Sequence, residues 1–139
     1  MSLNRWQMKY LTAAVLLAPV SPALYLQGRY ARWRIGVLPP AGGPNSGVIN
    51  EAEDDAVPAS LLVIGESTVA GLGARDHERA LTGQFARHLS RRIGRPVEWH
   101  VVGKSGVTTR RAIDELLPQV PERPFDYALV GLGGNDVLK

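Results

Sequence analysis

From residue 59 onward, short apolar runs alternate with helical patterns, and this alternation restricts the possible folds more than any other feature of the 139-residue chain. The apolar runs lie at residues 61–64, 97–102 and 126–132, and apolar residues at helical spacing occupy the two intervals between them. A β-α-β-α-β order predicts a parallel sheet with right-handed crossovers. We expect residues 59–139 to form one α/β domain in which the first strand lies between the other two.

Two helices are predicted between these strands. An apolar stripe at helical spacing runs along the first of them: Leu81, Phe85, Leu89 and Ile93. We expect this stripe to pack on the sheet. Gly94 suits the left-handed residue that ends a helix. The second helix is expected to begin at Thr108 or Thr109, because a threonine hydroxyl can cap a helix N-terminus.

Each predicted strand leads into a segment of glycines and small polar residues. These segments are residues 65–68, 103–106 and 131–136. In open parallel sheets, ligands bind at the edge formed by the carboxyl ends of the strands. Because all three segments fall on that edge, the sequence predicts a functional site built from three loops.

Three residues in these loops have the chemistry that acyl transfer requires. Ser67 is expected at a strand-to-helix turn, where its hydroxyl is a candidate nucleophile and its N–H a candidate oxyanion donor. Gly106 offers a second N–H with no side chain in the way, and Asn135 offers a carboxamide. Taken singly, each residue also fits an ordinary role as a helix cap or turn residue. Their shared placement at one edge favours the catalytic interpretation.

These segments resemble the first three sequence blocks of the SGNH, or GDSL-type, esterases and lipases over residues 60–139. The family's Gly-Asp-Ser corresponds to Gly65-Glu66-Ser67, its second-block glycine to Gly106, and its Gly-x-Asn-Asp to Gly133-Gly134-Asn135-Asp136. The resemblance implies a flavodoxin-like three-layer α/β/α fold and hydrolysis of an ester of a small molecule, a lipid or a glycan. It also implies that Ser67 is the nucleophile. It further implies an oxyanion hole formed by the N–H groups of Ser67 and Gly106 and the Asn135 side chain, with no metal and no organic cofactor.

The chain departs from the family pattern at two points. Glu66 stands where the family has aspartate, which keeps the charge and adds one methylene. The family's Asp-x-x-His block, which supplies the general base, is not among the 139 residues. We therefore expect a sheet truncated after its third parallel strand, an exposed edge that favours self-association, and little catalytic turnover.

Three histidines are the remaining candidates for a base. His77 follows the nucleophile segment, His88 is expected to be half-exposed on the first helix, and His100 is expected to pack within the second strand. None stands in an Asp-x-x-His context. A general base has to reach the hydroxyl it deprotonates, and no pattern places any of the three beside Ser67.

A different kind of segment precedes the α/β domain. Tyr10 to Gln27 is a run of eighteen residues without charge, flanked by Lys9 and Arg29. As a helix it would be about 27 Å long, close to the ~30 Å of a bilayer core. The sequence predicts a membrane anchor over residues 1–35, in the inner membrane of a bacterium and in either orientation. A cleaved signal peptide and a helix packed on the domain are the alternatives.

Charge is distributed unevenly along the chain. Residues 1–50 carry five bases and no acid, whereas residues 51–139 carry 13 acids and 11 bases. Because the bases flank the apolar run, they favour a membrane surface over a nucleic acid as the partner. Four prolines and four glycines in residues 36–58 predict a linker. The absence of cysteine excludes a thiol nucleophile, a disulfide and a cysteine-ligated metal.

Two alternative functions are compatible with part of the pattern. A strand followed by a glycine-rich loop and a helix also begins a nucleotide-binding fold. However, Asp76 and Asp136 stand where G-x-G-x-x-G needs its third glycine. A non-catalytic, membrane-tethered fragment of an esterase is the other alternative, and catalytic turnover would separate it from a working enzyme.

Overall fold

The computed structural model describes residues 4–50 and 56–137 of the chain. The chain divides into two compact units, Met1–Leu38 and Pro39–Lys139. The boundary between the units falls inside the predicted linker.

The first unit holds one helical segment of 31 residues. Helix α1 (Arg5–Leu17) and helix α2 (Ser21–Ile35) are joined by the 3-10 turn Ala18–Val20. Pro19 and Pro22 explain the tighter turn, because proline lacks the N–H that a helix interior requires but is tolerated in a first turn. No residue of α1 or α2 is buried, and the segment is long and apolar enough to cross a membrane.

The second unit is built on a four-stranded sheet in the order β1-β3-β2-β4. Its strands are β1 (Ser46–Ile49), β2 (Ala59–Gly65), β3 (Val97–Gly103) and β4 (Tyr127–Gly131). β2 lies between β3 and β4 and runs parallel to both. This arrangement confirms the parallel sheet and the central position that the sequence predicts for its first strand.

Helices cover both faces of this sheet. They are α3 (Leu81–Ile93) and α4 (Thr109–Glu115), with a 3-10 turn at Leu117–Gln119 after α4 and the short α5 (Gly134–Val137) after β4. Leu61 and Val63 of β2 pack with α3, whereas Ile64 packs with α4 on the opposite face. Strand side chains alternate between faces, so β2 is the middle layer of the predicted α/β/α arrangement.

The residues that helix α3 buries differ in part from the predicted apolar stripe. Its buried residues are small: Thr82, Gly83, Ala86 and Ser90. Leu81 and Phe85, which were expected to face the sheet, are each 37% exposed, whereas Leu89 and Ile93 pack against the core as expected. A Cβ on Gly83 would come within 1.9 Å of a carbonyl oxygen of the preceding loop. The close approach of the helix to that loop therefore requires glycine at position 83.

Residues 39–49 form a strap on the second unit, where the sequence predicts only a linker over residues 36–58. Within the strap, β1 pairs antiparallel with β3. Ile49 is the only buried residue of this four-residue strand. A four-residue strand with one buried side chain shows no recognisable alternation of apolar and polar residues. The sequence pattern therefore does not predict β1. Residues 51–55 of the predicted linker lie outside the described residues.

The outer edge of β4 pairs with no other strand of the described residues. Tyr127 is 42% exposed and Val130 is 62% exposed on this strand. An unpaired strand edge of this kind is a template for pairing with another chain. Self-association through this edge stays a prediction.

Lowering the pH below about 6.5 is expected to destabilise the second unit. Burial lowers the pKa of His77 against the attraction of Asp76, and burial together with the charge of Arg123 lowers the pKa of His100. The folded state therefore favours the neutral imidazoles of His77 and His100. As the pH falls below about 6.5, the unfolded state binds more protons than the folded state does, and stability decreases. We expect the urea midpoint to drop between about pH 8 and about pH 5, and to drop less in His77→Asn. The exposed His88 provides the control, since His88→Asn should keep the parental pH dependence, and a pH-independent parental midpoint would contradict the prediction.

Candidate active site

Three glycines end the parallel strands side by side. Gly65 of β2 is the register partner of Gly103 on β3 and of Gly131 on β4. A Cβ on Gly65 would come within 2.4 Å of the Gly131 carbonyl oxygen, and a Cβ on Gly103 would come within 2.6 Å of the Ala70 nitrogen. The chain that follows β2 can lie directly over the strand ends because these positions carry no side chain.

The first loop of the site is residues 66–80, which follow β2. It begins with a single helical turn, in which the Ala70 N–H donates to the Glu66 carbonyl oxygen at 2.8 Å. Helix α3 starts only at Leu81. Ser67 therefore lies in this isolated turn and not at the start of the following helix, where the sequence suggested it. The turn leaves Ser67 half-buried.

The strap holds the far side of the first loop. The Ala41 N–H donates to the Ala70 carbonyl oxygen at 2.9 Å, and the Gly73 N–H donates to the Pro39 carbonyl oxygen at 2.9 Å. Gly71 has a positive φ of 66°, and a Cβ there would come within 2.7 Å of the Ala41 side chain. The strap thus fixes the backbone that carries Ser67, a role that the sequence pattern did not reveal.

Ser67 lines an open groove of about 330 Å³. The other residues that line it are Thr68, Gly71, Leu72, Ala74, Ala80 and Leu81. None of them has an ionisable side chain, so the groove offers Ser67 an apolar surface and no base.

The Glu66 carboxylate joins the first loop to the loop that follows β4. Its Oε1 accepts the Gly134 N–H at 3.0 Å, and its Oε2 accepts the Asn135 N–H at 3.1 Å and an Nδ2 hydrogen of Asn135. A Cβ on Gly134 would come within 2.7 Å of Oε1, so glycine is required for this approach. The acidic residue before Ser67 therefore positions the third loop.

The Asn135 carboxamide extends this connection to the loop after β3. Its second Nδ2 hydrogen is donated to the Val107 carbonyl oxygen at 3.0 Å. Both amide hydrogens are therefore donated to protein oxygens in this arrangement. Asn135 can donate to a developing oxyanion only by releasing one of them, and each released acceptor then needs another partner.

A second connection joins the same two loops. The Asp136 carboxylate accepts the Thr109 N–H at 3.0 Å and the Thr109 hydroxyl at 3.0 Å. Thr108 is the N-cap of α4, and its hydroxyl accepts from the Arg111 N–H. The three loops that the sequence predicts to meet are thus held together by the side chains of Glu66 and of the Asn-Asp pair.

Gly106 and Gly133 both need the conformational freedom of glycine. Their φ angles are +74° and +115°, in the region that other residues rarely adopt. No described atom lies within 4 Å of the position that a Cβ of Gly106 would take. The backbone conformation at position 106, and not the space around a side chain, therefore selects glycine there.

The histidines lie outside the groove of Ser67. His77 is 6% exposed, and it lines a separate cavity of about 230 Å³ together with His100 and Asn45. His88 is exposed on α3. Across residues 4–50 and 56–137, no cluster of three histidine, aspartate or glutamate side chains is suited to hold a metal ion.

Replacing Glu66 with glutamine is expected to lower the stability of the second unit by about 1–3 kcal/mol, the usual cost of losing hydrogen bonds to a charged group. Glutamine keeps the length of the side chain but replaces one acceptor oxygen with an NH₂ group. This group would face the N–H donors of Gly134 or Asn135 and could not accept their hydrogen bonds. The matched control is Glu115→Gln, which removes an exposed pairing with Lys104 and Arg111 and is expected to cost clearly less, because solvent screens exposed ion pairs. Urea unfolding of the three proteins measures the difference, and equal midpoints for both variants would contradict the prediction.

Several contacts of the site carry no sequence signal. Val107 contributes only its backbone oxygen, which any residue would supply. Thr109 was identified only as a possible helix cap, and its bond to Asp136 spans 27 residues. The bond between Glu66 and Asn135 spans 69 residues.

Comparison with known proteins gives one match. The family model described as the GDSL-like Lipase/Acylhydrolase family matches residues 63–139, which is more than half of the chain. No curated protein and no solved structure matches. The matched region contains all three loops of the site.

Proposed function

The chain belongs to the GDSL-like lipase/acylhydrolase family, a family of hydrolases, and on that premise we propose that it attacks carboxylic esters through the Ser67 hydroxyl. The observation that carries the proposal is the pair of hydrogen bonds that the Asn135 carboxamide donates to the Glu66 carboxylate and to the Val107 carbonyl oxygen. These bonds hold the candidate nucleophile and two candidate oxyanion donors at one edge of the sheet.

In the proposed reaction, the Ser67 oxygen forms a bond to the ester carbonyl carbon and gives its proton to water. The carbon–oxygen bond to the alcohol breaks as the tetrahedral intermediate collapses, and the leaving oxygen takes up a proton from water. The N–H groups of Ser67 and Gly106 donate to the oxyanion. Asn135 joins them when one of its Nδ2 hydrogens leaves Glu66 or Val107. Oxyanion donors are most effective when they are oriented before charge develops, so the release that Asn135 requires is expected to reduce its contribution.

We propose that the 139-residue chain is catalytically incomplete by itself. No residue that lines the groove of Ser67 has an ionisable side chain. The histidines line other surfaces, and no Asp-x-x-His occurs in the sequence. A serine hydroxyl without a base is a weak nucleophile near neutral pH, and the hydrolysis of an acyl-enzyme needs the same base.

The proposed substrates are esters of lipids, glycans or other small molecules at a membrane. The 31-residue helical segment supports a membrane location, because its length and composition suit a bilayer core. The open edge of β4 supports the further proposal that two copies associate through this strand.

Incubation with p-nitrophenyl acetate tests the role of Ser67 without requiring turnover. We expect slow acetylation of Ser67 that persists, because the step that removes the acetyl group also lacks a base. Peptide mass mapping should locate the acetyl group on Ser67, and Ser67→Ala should abolish it. Ser105→Ala is the matched control, since Ser105 is an exposed serine of the second loop. Acetylation that is unchanged in Ser67→Ala would contradict the proposal.

A further inference from the structure

Gly28 lies inside helix α2 without a packing reason in the described structure. Apart from the adjacent helical backbone, no atom lies within 4 Å of the position that its Cβ would take. A glycine in a helix interior costs about 1 kcal/mol relative to alanine. The missing side chain leaves a notch on the helix surface, between the turn before Gly28 and the turn after it.

Aromatic and basic side chains surround this notch. Tyr25, Arg29 and Arg32 lie at successive turns of one helix face and line two adjoining surface depressions of about 310 and 390 Å³. Gly28 lines the first depression and Trp33 lines the second. The Arg29 guanidinium also lies over the Tyr25 ring, 5.9 Å from its centroid.

The charge of the notch is not neutralised within the described residues. No carboxylate pairs with Arg29 or Arg32 there, and residues 1–50 contain no acid at all. Both arginines are exposed. A guanidinium group presents a fork of N–H donors that fits the oxygens of a phosphate.

The position of the notch along the helix identifies the kind of phosphate. The uncharged run ends at Gln27, so Gly28 follows the apolar segment directly. Tyr30 and Trp33 lie close by and contact each other, with ring centroids 6.0 Å apart. Aromatic side chains of this kind sit at the headgroup level of a bilayer.

A second copy of the helix is a poorer occupant of the notch. Two helices that met at Gly28 would bring Arg29 and Arg32 of one copy against the same residues of the other. The positive charges of the two copies would repel each other, whereas an anionic headgroup attracts the arginines. The charge of the notch therefore selects an anion.

We propose that this notch binds the phosphate of an anionic phospholipid, with Arg29 and Arg32 donating to its oxygens and Tyr25 packing beside the headgroup. The proposal rests on the membrane location proposed above. It adds a lipid-binding surface that is separate from the ester site, since it belongs to the first unit.

The test uses the full chain in vesicles made of equal parts phosphatidylcholine and phosphatidylglycerol. The vesicles are dissolved in mild detergent, the protein is purified, and the retained lipids are quantified by mass spectrometry. We expect phosphatidylglycerol to be enriched over phosphatidylcholine by at least roughly fivefold, the effect of one arginine near an anionic surface. The double variant Arg29→Gln/Arg32→Gln should lose this enrichment.

Two further variants distinguish lipid binding in the notch from a general electrostatic attraction between the basic residues and anionic lipids. Arg5→Gln/Lys9→Gln removes the same number of charges from the other end of the helical segment and should keep the enrichment. Gly28→Leu keeps every charge but fills the notch, and it should lower the enrichment. Equal losses of phosphatidylglycerol enrichment in the two charge variants would overturn the proposed binding in the notch. Full enrichment in Gly28→Leu would overturn it as well. A chain that never enters the vesicles would overturn the membrane location as well, so the two failures are distinguishable.

Discussion

A chimera that joins residues 39–139 to the Asp-x-x-His half of a complete family member is expected to hydrolyse an aryl acetate, and Ser67→Ala is expected to lower its kcat/KM by roughly 10⁴- to 10⁶-fold. The added histidine would take the proton of the Ser67 hydroxyl, and nucleophile and base lose most of their effect when either is missing. The 139-residue chain itself should turn over the same ester no faster than its own Ser67→Ala variant. Steady-state rates of the four proteins at equal concentration, taken after more than one equivalent of aryl alcohol per protein has been released, provide the measurement.

The control for the chimera is Ser105→Ala, which should leave kcat/KM unchanged. Two results would contradict the prediction. An active chimera that tolerates Ser67→Ala would place the nucleophile elsewhere. Turnover by the 139-residue chain that depends on Ser67 would reveal a base within it, and His77→Asn would then be the next variant to measure.

Removing residues 1–38 is expected to move the protein from a carbonate-washed membrane pellet to the soluble fraction. The removed segment contains the whole helical span, and a spanning helix holds a protein in the membrane far more firmly than a surface contact does. The sharper variant is Leu16→Arg, which places a charge inside the uncharged run at a cost of up to about 2.5–3.5 kcal/mol. It should shift part of the protein into the soluble fraction.

The matched control for this experiment is Gln7→Arg, which adds the same charge outside the uncharged run and should leave the protein in the pellet. Mass spectrometry of the intact protein distinguishes the alternatives. A soluble protein that has lost residues 1–23 would establish a cleaved signal peptide. A soluble protein of full length would show that the segment is not an anchor.

The sequence was sufficient for the parallel sheet because buried parallel strands leave a strong signal. β2 is a nearly continuous apolar run that ends at a glycine, and such runs are typical of strands covered on both faces. The strap carries no comparable signal, since β1 has four residues and a single buried side chain. The buried face of α3 differs in part from the predicted stripe because Thr82, Gly83 and Ser90 are buried and are not hydrophobic.

For the candidate site, the meeting of three loops could be predicted, and their internal connections could not. Register alone brings Gly65, Gly103 and Gly131 together once the sheet is parallel. The bonds that join the loops depend on side-chain length and on backbone oxygens, which no sequence pattern records. Glu66 illustrates the difference, because the sequence shows it only as a departure from the family's aspartate, whereas in the structure its carboxylate is the link to Asn135.

The bonds that assemble the site have a consequence for the order of folding. Glu66 and Asn135 are 69 residues apart in the chain, and Val107 is 28 residues from Asn135. Contacts between distant residues form late, because the intervening chain must first be closed into a loop. Ser67 also leaves the ribosome before Asn135 does, so the nascent chain carries the serine before the bonds that join the three loops can form.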